Sequence, residues 1–348
     1  MNGLALLVAS LCLITVGLIV GLLFLRFTSD LRERRRARRH AQRRDQVMML
    51  IMGEPEEAAA AQASLDALPP SAWPATEEQI FALLPKVRGE SRLVLVGLLS
   101  SRGAAERARQ LLSSRSVVRR CRGAYRLGAL HPADATASLL PRLGDHSFLV
   151  RRVTVRALGS VADPEAVGPL FDSCGSDTRL TRDLVSALER IGTAGAPRLR
   201  EVLAVPSGRR DARHAEIAAI VLGLLGDVSA VPLLLDALGD EAPGLRAAAA
   251  EALGRIGVPQ AIPGLTAALD EPEELVRRSA AAALGDIGDP RAAEGLDRAL
   301  TEASRLTSRA IAAALLALGD PGRETLRRNP SPYAAEALAV QGLRGGLR

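Results

Sequence analysis

The sequence predicts an all-α fold, an α-α superhelix of stacked helix pairs preceded by a single transmembrane helix. A recurring phrase carries this reading first. "AAALGDIGDPRAA" at 281–293 returns as "AEALGRIGVPQAI" at 250–262, "RALGSVADPEAV" at 156–167 and "AALLALGDPG" at 313–322. Gly97, Gly128 and Gly159 are 31 residues apart, as are Gly223, Gly254 and Gly285, and a second series runs Gly226, Gly257, Gly288, Gly319. A fixed period of this size marks a stacked-repeat protein. Composition is the second observation. The chain of 348 residues is 48% hydrophobic with only 2% aromatics. Ala and Leu supply most of the apolar mass and favour helix over strand. The third is the opening "MNGLALLVASLCLITVGLIVGLLFL", 25 residues without a charge.

That opening run, residues 1–26, is long enough to cross a bilayer core as a helix. It has no basic n-region and no nearby cleavage site, so it reads as an uncleaved anchor rather than a signal peptide. The Gly17–Gly21 pair has the spacing of helix-pairing motifs. Residues 1–45 hold nine Arg and three acids, a surplus of +6 that equals the net charge of the whole chain. The repeats are therefore formally neutral, and the basic balance does not point to nucleic acid. Basic flanks stay cytoplasmic. The expectation is a single-pass inner-membrane protein, N-terminus outside and repeats in the cytoplasm. Arg32, Arg34, Arg35, Arg36, Arg38 and Arg39 would lie at the membrane surface, near anionic headgroups.

Residues 27–75 form a basic juxtamembrane segment and linker. It ends in the Pro-rich "PPSAWPA", whose Trp73 reads as a cap on the first repeat or as a surface anchor. "TEEQ" at 76–79 reads as a capping box. The solenoid is expected over 76–340 as about nine helix pairs, with a disordered tail at 341–348. Each unit opens at a turn such as Asp289–Pro290, which caps a first helix. A second polar turn leads to a second helix, as in "LVRRSAAAALGDI", with Ala and Leu along one face. The Gly of "ALG" is expected to end that helix in the left-handed region. The fourth unit reads "TRDLVSALERIG" and ends at Gly192. No pair buries its face alone, so the layers stack.

The strings "VRRSAAAALGDIGDPRAAEGLDRAL" at 276–300 and "LRAAAAEALGRIGVPQAIPGLTAAL" at 245–269 resemble the HEAT repeat in its short bacterial form, the PBS-lyase HEAT-like repeat. The resemblance covers residues 76–340. It implies a curved solenoid used for protein–protein contact. A few members of the family act with partners as bilin lyases.

No catalytic constellation stands out. GxGxxG after a strand, GxxxxGK[ST], HExxH and GxSxG are all missing from the sequence. His40, His131, His146 and His214 fall in the Arg block or in turns, where cap roles explain them. Cys12, Cys121 and Cys174 lack metal or disulfide spacing. No cofactor and no metal are expected, and the chain reads as a non-enzyme.

Arginines recur in the second helices. Arg120, Arg151, Arg246 and Arg277 sit eight residues before the Gly of each unit. The family resemblance implies an inter-repeat ladder between them and turn acids such as Asp145, Asp240 and Asp270. Arg122, Arg152, Arg156 and Arg182, with Tyr125, are expected to face outward as a solvated face or as a docking surface for an acidic partner. The leading reading is a membrane-anchored scaffold for an unidentified protein partner. The alternatives are a partner-dependent enzyme subunit of bilin-lyase type and a nucleic-acid-binding solenoid.

Overall fold

The computed structural model describes residue 26 and residues 42–175, 177–205, 211–302 and 304–345, with no strand among them. They divide into two compact units, one up to Ala104 and one from Ala105 on.

The first unit holds α1 (residues 42–52), α2 (Pro55–Asp66), α3 (Trp73–Leu83) and α4 (Gly89–Ser101). Trp73 begins α3 and is buried, and the Arg102 guanidinium lies 4.6 Å from the centre of its ring. Arg102 also donates to the carbonyls of Leu65, Asp66 and Leu68, which locks the end of α2. Trp73 is thus part of a core. "TEEQ" does not cap: Thr76 lies inside α3 and is buried, because Pro74 allows the helix to start earlier.

The second unit alternates short outer helices with longer inner ones. The outer set is α5 (Ala104–Leu112), α7 (Ala135–Leu139), α9 (Val167–Cys174), α11 (Ala196–Ala204), α13 (Val231–Ala237), α15 (Ile262–Ala267), α17 (Ala293–Glu302) and α19 (Asp320–Arg328). The inner set is α6 (Val117–Leu130), α8 (Phe148–Val161), α10 (Thr181–Ile191), α12 (Ala212–Leu225), α14 (Pro243–Ile256), α16 (Glu274–Ile287), α18 (Arg305–Ala317) and α20 (Pro332–Gly345). Consecutive inner helices pack on each other, and one continuous core runs from Ala108 to Ala334. Several outer layers open with a single 3-10 turn. In Pro290–Ala292 the Asp289 carboxylate accepts from the Arg291 amide at 2.9 Å. α20 runs to Gly345, so the boundary expected at 340 falls inside a helix.

The "ALG" glycines do not end their helices. Gly128, Gly159, Gly223, Gly254 and Gly285 all lie within inner helices. A Cβ on Gly254 would stand 2.6 Å from the Cα of Ala283 in the next inner helix. Gly128 meets Ala157, Gly159 meets Ala187, Gly223 meets Ala252 and Gly285 meets Ala314 in the same way, at 2.6–2.8 Å. These positions need glycine for space. The left-handed turn comes three residues later, at Gly226, Gly257 and Gly288 with φ of 65–76°. In the two earliest units it falls on His131 (φ 51°) and Ala162 (φ 60°).

Among the described residues no helix is long and apolar enough to cross a membrane. The expected span at 1–26, but for Arg26, and residues 27–41 with Arg32, Arg34, Arg35, Arg36, Arg38 and Arg39 lie outside the described residues. The placement of the chain as a single-pass inner-membrane protein is corrected on this finding. The inner helices run to 14 residues at most, against the ~20 that a span requires, and their apolar faces are turned on one another.

Candidate partner-docking surface

The arginines of the inner helices divide by what their side chains hold. Arg120 donates to both carboxylate oxygens of Asp145 at 2.7 and 2.8 Å, and to the carbonyls of Ser114 and Arg115 in the turn before its own helix. Arg151 repeats the arrangement with Asp177 at 3.1 Å and the Asp145 carbonyl at 3.0 Å. Arg246 reaches the carbonyls of Asp240 and Glu241 and pairs with Glu273 at 2.6 Å and Glu271 at 3.0 Å. Arg277 donates to the Glu271 and Pro272 carbonyls. Each of these side chains staples the turn that precedes its helix. Arg120, Arg151 and Arg246 also tie that turn to the next repeat. The Asp partners expected at Arg246 and Arg277 differ. Asp240 contributes its carbonyl to Arg246, and the carboxylate of Asp270 pairs with Arg298 at 3.2 Å. Hydrogen bonds from Arg120 hold the Asp145 carboxyl below its usual range.

The outward set is organised differently. Leu149, Arg152 and Arg156 share one face of α8, as positions three and four apart do on a helix. Arg152 Nε donates to Asp183 Oδ2 at 2.9 Å and Arg156 Nε to Asp183 Oδ1 at 2.6 Å. The Asp183 side chain is only 9% exposed, whereas those of Arg152 and Arg156 are 42% and 57% exposed. One buried carboxylate of α10 therefore braces two guanidinium groups of α8. Each gives up its Nε, and among the described residues nothing accepts from their terminal nitrogens. Arg182, beside Asp183, is exposed and has no ion pair among the described residues. Three cations over one anion leave a local surplus of positive charge.

Arg122 and Tyr125 lie exposed on the adjoining α6, and both are engaged in further contacts. Exposed Val118 and Leu149 begin the same two helices. Sequence reasoning brought Arg152, Arg156 and Arg182 together and missed Asp183. The signal lay in register. Equivalent positions of other units carry Arg122, Val153, Ile217, Ala248, Ser279 and Ala310, so Asp183 is the one acid among them.

No group of three or more His, Cys, Asp or Glu among the described residues is placed to hold a metal. Clefts of about 430 Å³ beside Pro164 and about 400 Å³ beside Pro259 open at the same place in their repeats, on the outer helices. They are products of the repeat geometry. Cys174 is a buried free thiol whose pKa burial pushes up to about 11, which makes it a poor nucleophile at neutral pH.

A stack of helix pairs joined through inner-helix seams defines an α-solenoid. Residues 196–284 match the family model for HEAT repeats, and residues 276–302 match that for the PBS lyase HEAT-like repeat. No curated protein matches the sequence. Similar solved structures include the complex of CpcE and CpcF of phycocyanin lyase from Nostoc sp., at 23% identity over 68% of this chain and 92% of that one, with a TM-score of 0.34. Human deoxyhypusine hydroxylase is 23% identical over 76% of this chain and 99% of its own, with a TM-score of 0.32. The Escherichia coli protein YibA is 19% identical over 75% and 96%, with a TM-score of 0.40.

Proposed function

We propose that this HEAT-repeat protein is a non-enzymatic scaffold that docks an acidic segment of a protein partner on the inner-helix face of α6, α8 and α10. The observation that supports this most is the Arg152–Asp183–Arg156 brace. A guanidinium fork matches carboxylate geometry. Holding each fork by its Nε orders the side chain before the ligand arrives, which lowers the cost of binding. Arg182 and Arg122 extend the positive field, and a charged wall of this kind speeds encounter with an anion. Val118, Leu149 and Tyr125 supply apolar area beside the charges, so the surface suits an acidic segment that also carries apolar residues.

The test is anisotropy of a labelled acidic amphipathic peptide on the full chain. The variant R152Q/R156Q/R182Q/D183N removes the charges together with the acid they cover, so no carboxylate is stranded. It is expected to bind about tenfold or more weakly, and wild-type binding is expected to fall with salt. Equal binding by wild type and variant sinks the proposal.

A second reading is a subunit that acts within a lyase only together with a partner. It is favoured by the match of residues 276–302 to the PBS lyase HEAT-like repeat. Chromophore absorbance that co-purifies with the chain would support it, and a chain that takes up no bilin with or without co-expressed partners would end it.

A further inference from the structure

The inner stack is held by two devices, and they are not distributed evenly. One is the Gly-on-Ala contact, present at α6–α8, α8–α10, α12–α14, α14–α16 and α16–α18. The other is the Arg side chain that crosses from one layer to the next turn, present at α6–α8, α8–α10 and α14–α16. Between α6 and α18 the α10–α12 seam alone has neither; the end seam α18–α20, with Leu316 and Ser308 at these positions, is joined by the Arg309–Glu336 pair instead.

Register shows why. Gly159 closes on Ala187, so "SAL" at 186–188 takes the place of "RAL" at 156–158. Glu189 then stands where the other inner helices carry Gly159, Gly223, Gly254 and Gly285. Across the seam, Val221 stands two residues before Gly223, where later helices carry Ala252, Ala283 and Ala314. Both halves of the close contact are replaced together. The Arg position is filled by Thr181 in α10 and Ala215 in α12. The next seam, α12–α14, also lacks an Arg but keeps Gly223 at 2.6 Å from the Cα of Ala252. Side chains at the contact set how closely two helices approach. An exposed Glu189 in the place of the Gly and a buried Val221 in the place of the Ala cannot reproduce a Gly–Ala approach, and the dispersion contacts of that approach are forfeited. α10 and α12 accordingly approach each other at fewer positions than the neighbouring inner-helix pairs α8–α10 and α12–α14.

What does join this seam lies at the N-terminal end of α12. Arg213 Nη2 donates to Thr181 Oγ1 of α10 at 2.9 Å, and beside the seam the His214 ring stacks at a tilt on Phe171 of the outer helix α9, with centroids 5.3 Å apart. We propose that the α10–α12 seam is the hinge of the solenoid. It is pinned at the Arg213–Thr181 and His214–Phe171 end and opens at the Glu189–Val221 end. Hinges form where a few positions absorb a change between bodies that are otherwise well packed. The motion changes the angle between the arm that carries the Arg152–Asp183–Arg156 brace and the arm of α12 to α18. The inference rests on packing and is independent of what docks on the brace.

The test measures distance distributions between spin labels on the full chain, with Cys12, Cys121 and Cys174 replaced by Ala. Ser186, Glu251 and Ala313 are exposed and hold the same place in α10, α14 and α18. A pair at Ser186→Cys and Glu251→Cys spans two seams including the hinge. A pair at Glu251→Cys and Ala313→Cys spans two seams without it. The first distribution is expected to be about twice as broad as the second, or broader. E189G/V221A, which restores the Gly–Ala contact, is expected to narrow it to match. Equal widths for the two pairs overturn the hinge, as does a broad first distribution that a folded E189G/V221A leaves unchanged. If that variant does not fold, the comparison between the two pairs decides alone.

Discussion

Gly254 lies so close to Ala283 that a Cβ on it would stand 2.6 Å from the Ala283 Cα and 2.7 Å from its Cβ. Gly254→Ala must therefore push two inner helices apart. Overpacking of this kind costs ~1–3 kcal/mol, against a helix-propensity gain of ~1 kcal/mol. The net expectation is a loss of stability. Gly97 belongs to the same 31-residue series, but a Cβ there meets nothing within 4 Å. Gly97→Ala is expected to stabilise by about 0.5–1 kcal/mol. Denaturant melts of the two variants should move in opposite directions, and equal shifts would contradict the assignment of Gly254 to close approach.

Ala162 ends α8 in the left-handed region at φ 60°, where later units place Gly226, Gly257 and Gly288. A side chain in that conformation costs ~1–2 kcal/mol, and glycine pays part of this back through its looser unfolded chain. Ala162→Gly is expected to raise stability by about 0.5–1 kcal/mol. The reverse change, Gly257→Ala, is expected to lower it. Thermal unfolding reads both, and a destabilising Ala162→Gly would refute the strain at this cap.

Removing Arg152 and Arg156 has a consequence that their surface position conceals. R152Q/R156Q leaves the Asp183 carboxylate buried and without its charged donors. Stranding such a group costs ~1–3 kcal/mol. Adding D183N is expected to recover most of that loss. A double-mutant melt in which D183N gives no recovery would mean that the brace is not what stabilises Asp183.

The acid limb of stability should report the turn carboxylates. Hydrogen bonds from Arg179, then Arg151, lower the Asp177 pKa from 3.8 to about 2. Those from Arg120 lower that of Asp145. A carboxylate whose pKa falls on folding contributes fully above its unfolded value, and the contribution is lost as pH drops through the folded one. The loss therefore falls between pH ~4 and ~2. D145N/D177N is expected to be less stable at neutral pH and to show a shallower decline of Tm across that window. An unchanged slope would remove these pairs from the acid response.

The architecture was legible because a 31-residue period repeats both an apolar face and a turn. What the period does not disclose is why a given glycine is required. The phrase "ALGDIG" holds two glycines, one for proximity and one for a left-handed turn. The nearer one drew the wrong role because space between helices is a tertiary property. The same limit hid Glu189. Taking Gly192 as the end of the fourth unit kept the count of glycines but shifted the register, and the missing Gly–Ala contact went unseen. The Arg positions were visible, and so was Asp145 as a turn acid of the ladder, while the partners of Arg246 and Arg277 were not. Turns such as 270–274 offer several acids at once, and backbone carbonyls, which carry no sequence signal, accept much of what Arg246 and Arg277 donate. Asp183 was legible only by comparing the same position across units.

The repetition of one contact makes the layers interchangeable. Gly223 now meets Ala252, and Gly254 meets Ala283. Excising residues 224–254 would bring Gly223 against Ala283, a junction of the same two shapes. In a chain whose units touch only their neighbours, length becomes a free variable. Such a deletion should yield a shorter protein that still melts cooperatively, and aggregation instead would show that the layers are not equivalent. A cut that joined Glu189 to Ala252 would create a pairing found at no seam from α6 to α18. The place where the solenoid bends is also the place where it resists being spliced.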